Sequence, residues 1–372
     1  MSFSIATSGL NAITQQLGAI SNNIANSGTV GFKSGRAEFA ALYAQSQPLG
    51  VGVTGVTQSI TRGGNIVASS RPLDLAISGN GFFVVRDSAG NTSYTRAGFF
   101  STDNDGNLVN NLGMQMQGYP VDDKGNLKVG SIADLNIKSG AIPAKASSGL
   151  GFTANFDANA EKIPPVPAFS PTNDTTYNNI YTTQIFDSLG REHTLSQYIV
   201  NTGNNVATGN NKWTVHYRMD GQDIVTPNVQ DIEFDKNGTL VPATGIANLA
   251  IAMTDAQDIG IEMNYVGSTQ YRNDFSVSRN KPDGYASGER TGQQVDEKGN
   301  VYAKFSNGQL MLQGQLVLAN FANPEGLQSQ DGTTWAQTGE SGTPLMGAPG
   351  SGLLGFIKSS ALEESNVDLT AE

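Results

Sequence analysis

The stretch "DNDGNL" at residues 103–108 decides the fold class of this chain. It places an aspartate three residues ahead of a glycine and an aliphatic side chain just behind it. The same signature returns as "DDKGNL" (122–127), "DKNGTL" (235–240) and "DEKGNV" (296–301), with "SNGQL" (306–310) as a shorter form. Each is hairpin chemistry, with glycine supplying the positive φ of a tight turn. Turns repeated on this scale predict a largely β protein with antiparallel pairing. Calcium binding is the competing reading of residues 103–108. Counted from Asp103, an EF-hand loop needs Gly at 108 and Glu at 114, where this chain has Leu108 and Met114.

Composition agrees. Glycine accounts for 44 of 372 residues and apolar side chains for 38%, a mix that suits short strands joined by many turns. The length allows two or three domains with cores of their own. A formal net charge of −11 repels phosphate backbones and anionic lipid, so nucleic acid is not an expected partner. There is no cysteine, which removes disulfides and thiolate metal sites. No apolar run approaches the roughly 20 residues that span a bilayer, so membrane insertion is not expected. The N-terminus lacks the basic residue and unbroken apolar core of a cleaved secretory signal. The protein is expected to stay in the cytoplasm or to leave by a route without a cleaved signal peptide.

The N-terminal segment has a different period. Phe3, Ala6, Leu10, Ile13, Leu17, Ile20 and Ile24 alternate spacings of three and four, a heptad seam over three heptads. The remaining positions carry Ser, Thr, Asn, Gln and Gly, and no charged side chain appears before Lys33. Two readings stand side by side. The helix packs on its own domain, or it sits among identical copies, where repeated charges would repel and amides would not. Gly9 and Gly18 each cost about 1 kcal/mol of helix propensity, so the helix is expected to need partners. "SNNIANSGTVGFKSG" (21–35) reads as its end, with Asn26 or Gly28 taking the left-handed conformation. Asn22 and Asn26 share a face and, with Asn23, Gly28 and Gly31, are candidates for polar contacts between copies. Phe39, Leu42 and Tyr43 suggest a short helix; "GVGVTGVTQSITRGGNIVASS" (50–70) reads as strand and loop.

Further along, Leu73, Leu75 and Ile77 open a β-rich region. Four prolines in "KIPPVPAFSPTND" (162–174) make an extended loop. Composition shifts at "SGAIPAKASSG" (139–149) and "SRNKPDGYASGER" (278–290) bracket a segment with its own strand signals. The expected organisation is an N-terminal helix (1–30), a connecting segment (31–70), a split β domain (71–146 with 282–355), an inserted β domain (147–281) and a second connecting segment (356–372). Gly140, Gly149, Gly284 and Gly288 are hinge candidates at the joints, where ordinary exposed linkers are the alternative. Ser365-x-x-Asp368 resembles a capping box and predicts the start of a C-terminal helix, which three residues after Leu369 leave unfinished; that points to a chain shortened before its last helix.

Nothing here assembles into a catalytic constellation. His216 lies in "WTVHYRM", where Trp213, Val215, Tyr217 and Met219 form one strand face and His216 the other. His193 follows the turn "DSLG". No nucleophile elbow, zinc-protease helix or phosphate loop is present. "GNG" (79–81) lacks the third glycine of a dinucleotide fingerprint, because position 84 is Val84. Asp122–Asp123 and Glu363–Glu364 read as solvated acid pairs. No enzyme activity, metal or cofactor is expected.

Several blocks resemble one family. "GLNAITQQLGAISNNIANSGTVGFKSGRAEF" (9–39) is similar to the N-terminal signature of the bacterial flagellar axial proteins, the rod, hook and junction components. "RPLDLAISGNGFFVV" (71–85), "YTRAGFF" (94–100), "LVLANFANPEGL" (316–327), "GSGLLGF" (350–356) and "SALEESNVDL" (360–369) resemble further shared blocks, in the family's order. The inserted middle domain and the 316–327 block are most similar to hook-type members. The resemblance implies mainly β domains flanked by coiled-coil-type terminal helices that line the inner tube of a helical homopolymer. It implies export through the flagellar type III apparatus to the extracellular flagellum, and partners in the rod, the hook-filament junction proteins and the hook cap. The implied role is a curved tube that transmits torque as a universal joint. A distal rod protein, forming a straight polymer, is one alternative. Another is a secreted adhesin or carbohydrate-binding module, which would show an aromatic groove around Trp213, Tyr217 and Tyr198.

Overall fold

The computed structural model describes residues 2–44, 47–123, 125–138 and 140–370. Contacts divide the chain into two compact units. One joins Met1–Gly140 to Arg290–Glu372; the other is Ala141–Glu289. The divisions fall at 140/141 and 289/290, outside the expected 147 and 281. Hydrogen bonds between Ile142 and Gly288 and between Lys145 and Tyr285 draw both flanks into the second unit.

The first unit opens with helix α1 (Ser2–Ala25), the one α-helix among the described residues. Among the described residues no helix is long and apolar enough to cross a membrane. The hairpin that follows, β1 (Gly35–Ala44) and β2 (Gln47–Gln58), replaces the short helix expected at Phe39–Tyr43. Alternating β-branched residues in its second leg offer antiparallel partners along the whole first leg, and that pairing overrides the local helical spacing. The expected C-terminal helix start is also absent up to Thr370. The side chains of Ser365 and Asp368 accept bonds from the amides two residues on, Val367 and Thr370, which are turn contacts, not caps of a continuing helix.

Behind the hairpin lies an antiparallel sheet whose main path runs Arg290–Val295, Asn300–Phe305, Leu310–Leu316, Gln115–Pro120, Phe82–Arg86, Thr92–Thr95, Thr334–Ala336, Gln328–Gln330. The early and late halves of the chain meet where Leu310–Leu316 pairs with Gln115–Pro120. Two small ladders then carry the end of the chain back to its beginning: Phe356–Ser359 on Leu75–Ser78, and Ala361–Glu363 on Ile66–Ala68. The core includes Phe82, Val84, Tyr94, Val317, Phe321 and Trp335. Edge-to-face contacts such as Tyr94 with Phe321, at 4.8 Å, lock its rings.

The second unit packs a five-stranded sheet and a four-stranded sheet around one core. Trp213, Val215, Tyr217 and Met219 alternate into that core from strand Asn211–Met219, as a half-buried strand requires. Trp213 and Tyr217 are fully buried, and Tyr217 bonds the Tyr265 hydroxyl at 2.9 Å. The aromatic groove expected of a sugar-binding module therefore does not form around these two side chains. His216, on the opposite face, stacks on Phe169 at 3.9 Å.

The recurring turns behave alike. Asp103 Oδ1 accepts the amides of Asp105 and Asn107, and Gly106 takes φ +85°. Asp235 and Asp296 repeat this arrangement, with Gly238 and Gly299 at φ +76° and +75°. The aspartate stands in for a backbone acceptor, and the glycine turns the chain without a Cβ clash.

Candidate assembly surface

The seam of α1 is largely uncovered. Phe3 is 84% exposed, Leu10 65%, Ile13 54%, Leu17 56% and Ile24 50%; Ala6 is also exposed and Ile20 is half-buried. One side is apolar and free, and the other packs on the hairpin through small residues. Ala12 is buried, and Ser8 Oγ accepts the Val51 amide at 3.2 Å. A Cβ at Gly50 would stand 2.1 Å from Ser8 Oγ, so the close approach requires glycine there. Thr7 and Thr14 turn their hydroxyls back onto the carbonyls of Phe3 and Leu10. With no acid in its first turn and no base in its last, the helix carries only its own dipole as charge.

The asparagines divide. Asn23 is buried at 2% exposure; its Nδ2 donates to Gly35 O at 2.9 Å and its Oδ1 accepts the Gly35 amide at 2.8 Å. It ties the helix to the first residue of β1, so its place is inside the subunit and not among the contacts between copies. Asn22 and Asn26 do share a face. Asn26 Nδ2 donates to Asn22 O and Oδ1, each at 3.0 Å. Neither Asn26 nor Gly28 is left-handed. That conformation falls to Gly31, at φ +73°, where a Cβ would lie 2.5 Å from the Ala97 amide nitrogen. Backbone packed that tightly against 96–97 excludes every side chain, which is why the left-handed turn sits at the second glycine of the stretch and not nearer the helix end.

Beneath this root lies a charge cluster that contradicts the solvated reading of Glu363. Glu363 is 1% exposed, and Glu364 alone faces solvent. Glu363 Oε1 meets Lys33 Nζ at 2.5 Å and the Gly64 amide at 3.0 Å; Oε2 meets Arg96 Nη1 at 2.9 Å. Lys33 also donates to Arg62 O, and Arg96 to Gly79 O. Burial pushes the Lys33 ammonium down. Burial also pushes the Glu363 carboxyl up, but the Arg96 and Lys33 cations outweigh it and hold the group below the usual carboxylate range. Losing one member of such a cluster strands buried charge and costs about 3–5 kcal/mol. Asn366 completes the clamp by accepting the Ser34 amide at 2.7 Å and donating to Ser59 O and Arg62 O. The sequence signal was faint: Lys33 is the first charge in the chain, and its partner is 330 positions away.

The four glycines at the joints also differ. Gly140 is exposed, with nothing near its Cβ position. The Gly149 amide bonds Asp283 Oδ1 at 2.8 Å, Gly284 is packed against Ser147, and Gly288 pairs with Ile142. These three are held by hydrogen bonds and close packing, not free.

Known families match in three places. Residues 3–33 match the "Flagella basal body rod protein" model, 76–149 the "Flagellar hook protein FlgE/F/G D1 domain" and 155–285 the "Flagellar basal body protein FlaE D2 domain". The flagellar hook protein of Escherichia coli K12 is 38% identical, across 100% of this chain and 92% of its own length. The chain belongs to the flagellar hook protein family. Hook proteins of Salmonella typhimurium and Brucella abortus are 39% and 32% identical, over 92% and 89% of their lengths. A Helicobacter pylori hook protein shares the fold, with a TM-score of 0.59 at 15% identity over 80% of this chain and 99% of that one. The exposed seam thus belongs to a hook-family subunit, a structural protein.

Proposed function

We propose that this hook subunit self-assembles into a curved tube in which α1 lines the inner wall and the tube passes torque as a universal joint. The observation that carries this reading is the free apolar seam: five large side chains half or more exposed on an uncharged helix. A soluble monomer gains nothing from that surface, whereas packed copies bury it. In this reading residues 31–70 and 356–368 connect the inner helix to the split domain, bounded at 140 and 290, and the inserted domain 141–289 faces outward. The joint at Gly140 gives the outer domain freedom to shift as the tube bends, and its contacts with neighbours are polar and wet. Rod, junction and cap proteins meet the two ends of the polymer. The subunit reaches the extracellular flagellum through the type III apparatus without a cleaved signal.

Electron microscopy of polymers tests the proposal. The full-length protein, carrying both terminal helices, is expected to form curved tubes, and its double variant Leu10→Asp/Leu17→Asp to stay monomeric with both β units folded. Straight tubes would favour a rod role; normal tubes from the double variant would remove α1 from the interface.

A further inference from the structure

The Lys33–Glu363–Arg96 cluster has one anion for two buried cations. Lys33 is 1% and Arg96 5% exposed, and each has Glu363 as its ion-pair partner. Their other bonds go to neutral carbonyls of Arg62, Ile77 and Gly79, and Arg96 lies 5.5 Å over the Phe82 ring. The partners come from distant parts of the chain: Glu363 lies 330 residues after Lys33 and 267 after Arg96. The same short C-terminal segment holds both legs of the hairpin root. Glu363 O accepts the Gly31 amide, its carboxylate accepts the Gly64 amide, and Asn366 spans Ser34, Ser59 and Arg62.

Two cations do not enter a dry interior without a counter-charge. Glu363 lies 330 residues from Lys33 and 267 from Arg96, so in any folding chain its contact with them closes one of the longest loops in the subunit and comes late. Until residue 363 arrives, the site stays open and hydrated. We propose that Glu363 is a closing latch: its arrival buries Lys33 and Arg96 and fixes the root of α1 and the β1–β2 hairpin to the sheet as the last step of subunit folding. A chain that ends or is cut before this residue keeps its β units but presents α1 on a loose base. The biological use of the latch, admitting only complete subunits to a polymer, rests on the assembly reading. The order of closure is a property of the single chain and is tested without polymerisation.

Pulsed hydrogen exchange during refolding of the full chain reads that order. The amides of Gly31, Ser34 and Gly64 are expected to gain protection at least tenfold later than those of strands Phe82–Arg86 and Gln115–Pro120. Simultaneous or earlier protection would overturn the latch. Limited trypsinolysis of folded Glu363→Gln gives the second readout. Cleavage after Lys33 and Arg62 is expected to rise at least tenfold, with strand amides in both units unchanged. Unchanged cleavage would show that the carboxylate does not hold the root. Loss of protection across the whole sheet would show a general core residue instead of a local latch.

Discussion

Leu17→Ala separates the seam from the fold in quantitative terms. Full burial of a leucine side chain contributes about 1.5–3 kcal/mol. Leu17 is 56% exposed in the subunit, so the part left for a partner copy to bury is worth roughly 0.8–1.7 kcal/mol on that scale. At about 1.4 kcal/mol per factor of ten, the critical concentration for polymerisation should rise roughly four- to twenty-fold. The subunit itself should lose less than about 1 kcal/mol, because alanine is the better helix former and the hairpin touches the other side of α1. Sedimentation of polymer from a dilution series gives the first quantity, and calorimetry of the subunit the second. A critical concentration unchanged within about twofold would mean that position 17 stays exposed in the polymer. A melting temperature lowered as much as by a core substitution would mean the seam packs within the subunit, and the exposure-based reasoning would fail.

Other substitutions probe the supports. Asn23→Ala removes both bonds to Gly35 and leaves its partly buried amide and carbonyl without that partner, at a cost of about 1–3 kcal/mol. Thermal unfolding should show the loss in the unit that carries α1, with the second unit unaffected; equal loss in both would refute the assignment. Asp283 has a pH signature. Burial raises its carboxyl, but bonds from Ser148, Gly149 and Lys145 outweigh that and hold it far below the usual range. A depressed folded value means the contribution is present above the unfolded value of about 3.9 and is lost as pH falls through the folded one. Exchange protection of the Ser148 and Gly149 amides should therefore persist at pH 6 and weaken in strong acid, and Asp283→Asn should weaken it already at neutral pH. Protection in the variant equal to that of the parent chain would show that the carboxylate is not what holds this joint.

Local pattern carried much of the fold. Glycine after aspartate at "DNDGNL" and its relatives marked real turns, because Asx bonding and positive φ are settled within five residues. The alternation of Trp213, Val215, Tyr217 and Met219 named a buried strand face, and the spacing from Phe3 to Ile24 named a helix seam. Both are periodicities, and a periodicity needs no knowledge of its partner. Three matters were settled only in three dimensions. Residues 39–43 are strand because β2 lies beside them and supplies their hydrogen bonds. Asn23 is an internal tie, while Asn22 and Asn26 remain on the surface, because Gly35 returns to one side of the helix and not the other. Of two adjacent glutamates, Glu363 is buried and Glu364 exposed, since alternation along a strand sends neighbours to opposite faces and only the fold says which face meets Lys33 and Arg96. A charge takes its meaning from its counter-charge, and here the two lie almost a whole chain apart.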